Sequence, residues 1–455
     1  MNQPRRVEAL APLAVVLGML MAMTPAAGLA DTTPAASDPT DDSLTSPAAE
    51  PEPLPIPAGW LDAQSLLRLP NWLQLGLAFT AEPMANPLGG ERPAASWLEQ
   101  ASLSLNIGSG LTLDPARWRE LDHWSLSTTL THTSGDGLYG QRIGALLPPQ
   151  QIAYPSGFLL SEASLSRKGG TGWIDLKGGL VPINPDFVAA PILDFYVHSA
   201  LNDTLNLSLN GVPISPYAAL GGIVQVKPAA DVSLRYGWFD LSSTKPLATW
   251  LGSPPPFRGP AEGAVQMLQM NWTPAALAPA NDTPLQACRT PTGVRRHRSG
   301  CREPVTVQNK LPGALLSLGG YTTSRQGRGV YGSATLRSGL PLGLDERIWL
   351  GGAWAPISSG SLAPNFVAGG LVVQGPLPKR PLDLLVLGAG RAGLGPKASQ
   401  GWHSPDEGMV ELGYQWRLNE TLALQPTLQW ILNPSGGDRP LPGILTTSLQ
   451  ISLTF

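Results

Sequence analysis

The sequence predicts an all-β protein, a transmembrane β-barrel of about sixteen antiparallel strands. The first observation is that apolar and polar residues alternate with a period of two in many segments of about ten residues. The second is composition: charged residues are 14% of the chain, below the roughly 25% of soluble domains. The third is that no segment after the N-terminal region approaches about 18 consecutive apolar residues, so the exported protein is either soluble or a barrel whose strands cross the membrane.

The N-terminal region predicts export. Arg5 and Arg6 precede an apolar run from Leu10 to Met23, and small residues follow up to Ala30. This order is typical of a secretory signal peptide, which we place at residues 1–30. A membrane-spanning anchor is the alternative, but the run of about 14 residues is shorter than the roughly 20 that such a helix needs.

Three regions follow the signal peptide. Residues 31–59 are rich in Pro and acidic residues and contain no Lys or Arg, which predicts a disordered linker. Residues 60–72 form a short pre-barrel segment, and residues 73–455 form the barrel.

The net charge of −3 offers no basic surface to nucleic acid, so we expect no nucleic-acid partner.

The last strands show the alternation most clearly. In EGMVELGYQWRLN, Leu412 and Trp416 lie on the apolar side, whereas Glu411 and Arg417 lie on the other. In the terminal segment ILTTSLQISLTF the second side carries only Thr, Ser and Gln from Thr446 onward. We expect the apolar sides to face lipid and the polar sides to face a water-filled lumen. The final residue, Phe455, resembles the signal by which the barrel assembly machinery recognises outer-membrane barrels.

The connections fit a barrel with both chain ends in the periplasm, where turns are short and the opposite loops are long. Short joints occur at 168–171, 228–231 and 419–421, and long ones at 185–219 and 242–263. The loop at 185–219 follows the fifth predicted strand. Two interpretations of it stay open: it folds into the barrel and narrows the channel, or it lies on the surface.

Segment 274–312 is an exception. Connections alternate between the two ends of the barrel, and this alternation places the segment in the periplasm although it is long. It holds both cysteines of the chain, Cys288 and Cys301. In an exported protein this pair predicts one structural disulfide that closes a loop. A metal site is the alternative, but only His297 is nearby and the spacing fits no common zinc pattern.

A glycine motif is compatible with a different function. Gly388, Gly390 and Gly393 form G-x-G-x-x-G directly after the apolar run LDLLVL. In a dinucleotide-binding fold a helix would follow, but Pro396 and Pro405 interrupt it. We therefore interpret these glycines as close-packed strand positions and expect no cofactor.

The histidines offer little support for catalysis. An outer-membrane lipid hydrolase would need a Ser and a His paired on the outer face of the barrel, and only His132 and Ser134 share a strand parity in this way. A histidine at the barrel rim is the simpler interpretation. We expect no enzymatic activity and no bound metal.

Four fragments carry a resemblance to a known family: ANPLGG (85–90), LPGALLSLGGY (311–321), GLVVQGPLPKRPLD (370–383) and ELGYQWRLNETLALQPTLQWILNPSGG (411–437). They resemble the carbohydrate-selective porins of the OprB family. The resemblance implies an outer-membrane barrel of sixteen strands through which sugars diffuse passively. The acidic linker and the cysteine-containing segment depart from the family's pattern.

The alternation of apolar and polar residues along the strands predicts which charged residues face the lumen. They either hydrogen-bond sugar hydroxyls or only keep the lumen wet, and both roles stay open. The candidates are Glu162, Asp175, Lys177, Arg235, Arg337, Arg391, Glu411 and Arg417.

Three functional classes stay open at this point: a sugar pore, a general or weakly anion-selective pore, and an outer-membrane enzyme. The missing catalytic motifs disfavour the enzyme. The expected partners are outer-membrane lipid, small sugars as permeants and the assembly machinery that would recognise Phe455, and a homo-oligomer is compatible with the sequence.

Overall fold

The computed structural model describes residues 69–70, 72–108, 124–154, 156–168, 173–202, 207–243, 263–279, 284–296, 300–324, 327–356, 361–395, 404–419, 421–436 and 439–454. The predicted signal peptide, the linker 31–59 and Phe455 lie outside these residues. Among the described residues, no helix has the length and hydropathy needed to cross a membrane.

Strands account for nearly all regular structure in the described residues, because the chain alternates short β-prone segments with Gly- and Pro-rich turns. The strands are β1 (Leu73–Ala81), β2 (Met84–Leu88), β3 (Ala94–Ser96), β4 (Leu98–Ile107), β5 (Trp124–Gly135), β6 (Gly157–Lys168), β7 (Ile174–Val181), β8 (Ala219–Ala229), β9 (Val232–Asp240), β10 (Ala264–Trp272), β11 (Leu285–Thr290), β12 (Gly293–Arg296), β13 (Pro304–Val307), β14 (Leu315–Thr323), β15 (Gly327–Arg337), β16 (Asp345–Trp354), β17 (Asn365–Gln374), β18 (Leu384–Gly393), β19 (Asp406–Arg417), β20 (Leu422–Leu432) and β21 (Ile444–Thr454).

Sixteen of these strands close into an antiparallel barrel, as the sequence predicted. The order around the wall is β1, β4 to β10, and β14 to β21, and β1 pairs with both β4 and β21. The short strands β2 and β3 pair with each other and extend the wall beyond β1 and β4. We call the end where β1 begins and β21 ends the inner end, and the opposite end the outer end.

The predicted alternation is confirmed on β19. Leu412 and Trp416 project outward and are 46% and 45% exposed, whereas Glu411 points inward and is fully buried. The register also agrees, because Glu411 lies opposite Gln429 of β20 and Leu412 lies opposite Leu428. The outside of the barrel is therefore apolar at these positions, as a lipid-facing surface requires.

The long loop after β7 folds into the barrel, which decides between the two interpretations of it. This inward loop (residues 182–218, described except for 203–206) carries two short 3-10 turns, Leu193–Phe195 and Leu207–Asn210. Its apolar side chains join inward residues of the wall in one large hydrophobic cluster. A second inward loop, residues 136–154, also enters from the outer end and was not predicted.

The long connection at the inner end forms a small sheet of its own. β11 pairs with β12 and β13 to give a separate three-stranded sheet. Cys288 and Cys301 are joined by a disulfide in this sheet, with their Cα atoms 5.7 Å apart. Leu285 and Ala287 pack from this disulfide sheet onto Leu344, in the turn between β15 and β16.

Candidate functional site: the barrel lumen

The lumen is divided into a covered wall and an open wall. Most inward side chains of β10 and of β14 to β21 are buried, although they point into the barrel. Examples are Met267, Trp349, Val386 and Met409, which all belong to the hydrophobic cluster formed with the inward loop. This side of the lumen is therefore filled by protein.

Inward carboxylates hold the two loops against the covered wall. Glu411 accepts hydrogen bonds from the backbone N–H groups of Val197 and His198, at 2.8 and 2.6 Å. Glu407 accepts in the same way from Leu146 and Leu147, at 2.9 and 2.7 Å. Hydrogen bonds to a charged acceptor are about twice as strong as neutral ones, so these contacts fix the loops firmly.

The glycine motif on β18 lies where the inward loop packs against the wall, and we call this part of β18 the seat of the inward loop. A Cβ atom at Gly388 would overlap the ring of Tyr196, and one at Gly390 would crowd Leu201. Tyr196 is further held by Trp349, whose indole N–H donates to its hydroxyl at 2.7 Å. The glycines are therefore close-packed strand positions, as predicted.

The open wall is formed by β1, β4 and β5. Its inward side chains are partly accessible from within, except for Leu98, Thr131 and Thr133 near the outer end, which are buried. The accessible ones on β4 and β5 are uncharged and polar. We call them the uncharged strip: Gln100, Ser102, Ser104 and Asn106 of β4, with Ser125, Ser127 and Thr129 of β5. Cross-strand bonds link Ser102 to Thr131 and Ser104 to Thr129, at 3.1 and 3.0 Å.

Next to the strip, four of the predicted lumen residues meet in one cluster. Lys177 of β7 forms ion pairs with Glu162 of β6 at 2.9 Å and with Asp186 of the inward loop at 3.0 Å. Asp175 pairs with Lys227 of β8 at 2.6 Å. We call this the charged network; its members are Glu162, Asp175, Lys177, Asp186, Lys227 and Arg235.

Arg235 connects the network to the inward loop. Its guanidinium donates to the backbone carbonyl of Asp186 and to the Gln225 amide oxygen. Three basic and three acidic groups therefore lie side by side on β6 to β9 and at the start of the loop. Their formal charges cancel, so the network adds no large net field to the lumen.

The other predicted residues lie elsewhere. Arg337 lies at the inner end of β15 and binds Asp345 through its Nε atom at 3.0 Å. Arg417 points inward at the inner end of β19, where its backbone N–H donates to Asp383. Glu411 points inward but does not face water, because the inward loop covers it.

The placement of Arg391 in the lumen was wrong. Arg391 shares the outward parity of β18 with Leu387, which is 45% exposed, and it forms an ion pair with Asp406 at 2.5 Å. The error has a physical cause: the inward residues Leu384 and Val386 are apolar because the inward loop packs on them. Both sides of β18 are thus apolar, and alternation cannot distinguish them.

Three charged residues near the open lumen were missed. Lys227 shares its strand parity with Gln225, so alternation along β8 could have found it. Asp186 and Asp194 lie in the inward loop, which has no periodic pattern. Asp194 is exposed although Leu193 and Tyr196 beside it are buried, so it projects from the packed side of the loop.

Comparison with known proteins agrees with this geometry. The model of the carbohydrate-selective porins of the OprB family matches residues 104–455, which is most of the chain. The chain belongs to the OprB family. Curated proteins gave no match to the sequence.

Solved structures support the fold. The high-pH structure of Pseudomonas putida OprB superposes with a TM-score of 0.66 at 17% sequence identity, covering 86% of this chain and 96% of that one. The low-pH structure of the same protein gives a TM-score of 0.52 at 15% identity, covering 88% of this chain and all of the other. The sixteen-stranded barrel of this OprB-family chain is thus a known architecture, located in the bacterial outer membrane.

Proposed function

We propose that this OprB-family protein is a passive diffusion pore for small carbohydrates, and that solutes pass along the open wall of the lumen. The observation that carries the proposal is the division of the lumen. The inward loop and the second inward loop fill the side of β14 to β21, and the wall that stays accessible carries hydroxyl and amide side chains. Such a channel is narrow and wet, and its lining matches the hydrogen-bonding chemistry of sugars.

A weakly anion-selective pore is the second candidate. It is favoured by the disulfide sheet at the inner end, where Arg289, Arg295 and Arg302 are exposed. Fixed positive charge near a pore mouth raises the local concentration of anions. The balanced charged network inside the lumen opposes strong selectivity, so we expect any anion preference to be small.

An outer-membrane hydrolase receives little support. Ser134 donates its hydroxyl to Glu99 at 2.6 Å, and His132 stacks on Phe158 with ring centroids 4.2 Å apart. The proposed Ser–His pair needs the imidazole at the serine hydroxyl, and here that hydroxyl is bonded to Glu99 while the imidazole packs on Phe158. We propose that these residues are part of the outer rim.

Export and assembly complete the proposal. We propose that residues 1–30 are a signal peptide cleaved before Asp31, that residues 31–59 are a linker, and that Phe455 serves recognition by the assembly machinery. A homo-oligomer is compatible with this function, and cross-linking of the protein in native outer membranes would measure its stoichiometry.

The function is tested by two measurements on the purified protein. Liposomes containing it should swell in glucose faster than in a trisaccharide, because the loops narrow the channel. In planar bilayers, a salt gradient should give a small reversal potential of the sign expected for anions. If the protein conducts ions normally but the liposomes do not swell in sugars, the proposal of a sugar pore is contradicted.

A further inference from the structure

We propose that the uncharged strip on β4 and β5 is the part of the lumen that contacts sugars, and that the charged network beside it controls ion selectivity. The inference rests on the proposed function and names the residues that would distinguish the two kinds of solute. Its basis is the lateral separation of uncharged and charged side chains around one open wall.

The separation has a sharp border. Thr129 on β5, the last accessible residue of the strip, lies directly opposite Glu162 on β6, the first residue of the charged network. No inward side chain on β4 or β5 is charged over their described lengths, since Glu99 lies on the outward parity with Ser134. From β6 to β9, each strand places at least one charge inward.

The strip keeps unused hydrogen-bonding capacity. Ser104 and Thr129 share one hydrogen bond, which uses one of their two hydroxyl protons and one of their four lone pairs. One donor and several acceptor sites remain at this pair. Less capacity remains at Ser102 and Thr131, because the Thr131 hydroxyl is buried and also accepts from Ser161 at 2.7 Å. Sugar hydroxyls are also donors and acceptors, so each hydrogen bond to water at these positions can be replaced by one hydrogen bond to a sugar.

The strength of these contacts suits transport. A pore must bind its permeant well enough to admit it and weakly enough to release it. Neutral hydrogen bonds that replace bonds to water contribute little net free energy, whereas bonds to charged groups contribute more. Repeated neutral sites along β4 and β5 would let a sugar move from one site to the next without a deep trap.

The charged network is poorly suited to sugars because its groups already bind one another. Lys177 holds two carboxylates, and Arg235 is bonded to Gln225 and to the backbone of the inward loop. A sugar would have to displace an ion pair to bind there. An ion, in contrast, responds to the balance of charge, and removal of one basic group would leave the network net negative.

The test compares variants on the two sides of the border. The double variant Ser104→Ala, Thr129→Val removes two hydroxyls at nearly constant volume, and its matched control is Thr128→Val, the same change on the outward side of β5. We expect the double variant to lower the rate of maltose-driven liposome swelling by about fivefold to tenfold. Its reversal potential in a potassium chloride gradient should equal that of the wild type.

The complementary variant is Lys227→Gln, which removes a partly exposed basic group and leaves its neighbours in place. Its reversal potential should shift toward cation preference, and its maltose swelling rate should stay within about twofold of the wild type. Swelling that is unchanged in the double variant, or lowered more by Lys227→Gln, would overturn the inference. If the wild-type protein itself gives no swelling in maltose or glucose, the proposed function fails instead.

Discussion

Individual carboxylates hold the two inward loops in position. Glu411 and Glu407 point into the barrel, as alternation predicts for Glu411, but each accepts backbone N–H groups of a loop instead of water. Gln429 adds a bond to Glu411 at 3.1 Å. A buried carboxylate is tolerated when donors surround it, and here the donors come from residues more than 200 positions away in sequence.

This arrangement predicts the effect of removing one anchor. Glu411→Leu leaves the N–H groups of Val197 and His198 without an acceptor, which costs about 1–3 kcal/mol for each buried group. The barrel should assemble, but the inward loop should detach locally and enter the open lumen for part of the time, so single-channel conductance should fall on average and become noisier. Val410→Leu, on the lipid side of the same strand, is the control. Equal conductance in both variants would show that the loop is held without this carboxylate.

The two sides of β19 give a second prediction. Leu412→Arg places a charge on the lipid face, where it costs roughly 2–4 kcal/mol near the membrane midplane. Assembly, measured by the fraction of protein that resists unfolding in unheated gel samples, should therefore fall. Arg417→Ala, on the inward side, should assemble normally and shift only ion or sugar preference. The opposite pair of results would mean that the register is displaced by one residue.

At the scale of elements, the success of alternation depends on what lies inside the barrel. β21 keeps a polar inward side, Thr446, Ser448 and Gln450, and its faces could be predicted from sequence alone. β18 packs on the inward loop, so its inward residues are apolar and Arg391 was assigned to the wrong side. The contacts of a loop with a distant wall leave no local pattern, which is why the second inward loop was also missed.

The seat of the inward loop gives a prediction for β18. Gly388→Val should push Tyr196 away from the wall, because a side chain at this position would occupy the space of the tyrosine ring. The displaced loop should enter the open lumen, so conductance and sugar flux should both fall. Ala389→Val, one residue along and facing lipid, should leave both unchanged. A normal conductance for Gly388→Val would show that the seat is not rigid.

The disulfide sheet gives a prediction for an element outside the wall. Replacement of Cys288 and Cys301 by Ser should remove the mobility difference between oxidised and reduced samples, and should destabilise the sheet by about 3 kcal/mol for a loop of this length. Conductance should stay nearly unchanged, because the bridge connects two parts of the sheet and no part of the lumen wall. A large loss of conductance would show that the sheet reaches into the channel.

The whole molecule combines two kinds of interior in one barrel. One side of the lumen holds a hydrophobic core of the kind found in soluble proteins, formed by the inward loop against β7 to β10 and β14 to β19. The open wall keeps polar side chains partly exposed. A barrel of sixteen strands is wide enough for an open channel, and the core reduces the cross-section of its lumen.

Export of the whole chain gives the last prediction. The apolar run Leu10–Met23 and the small residues Gly28 and Ala30 predict cleavage after Ala30, because signal peptidase requires small side chains near the cut. Intact-mass measurement of protein from outer membranes should therefore give a chain beginning near Asp31. Ala30→Arg should block the cut, and the uncleaved protein should remain with the inner membrane. Wild-type protein that retains Met1 to Ala30 in the outer membrane would contradict the assignment, since the run is too short to serve as a spanning anchor instead.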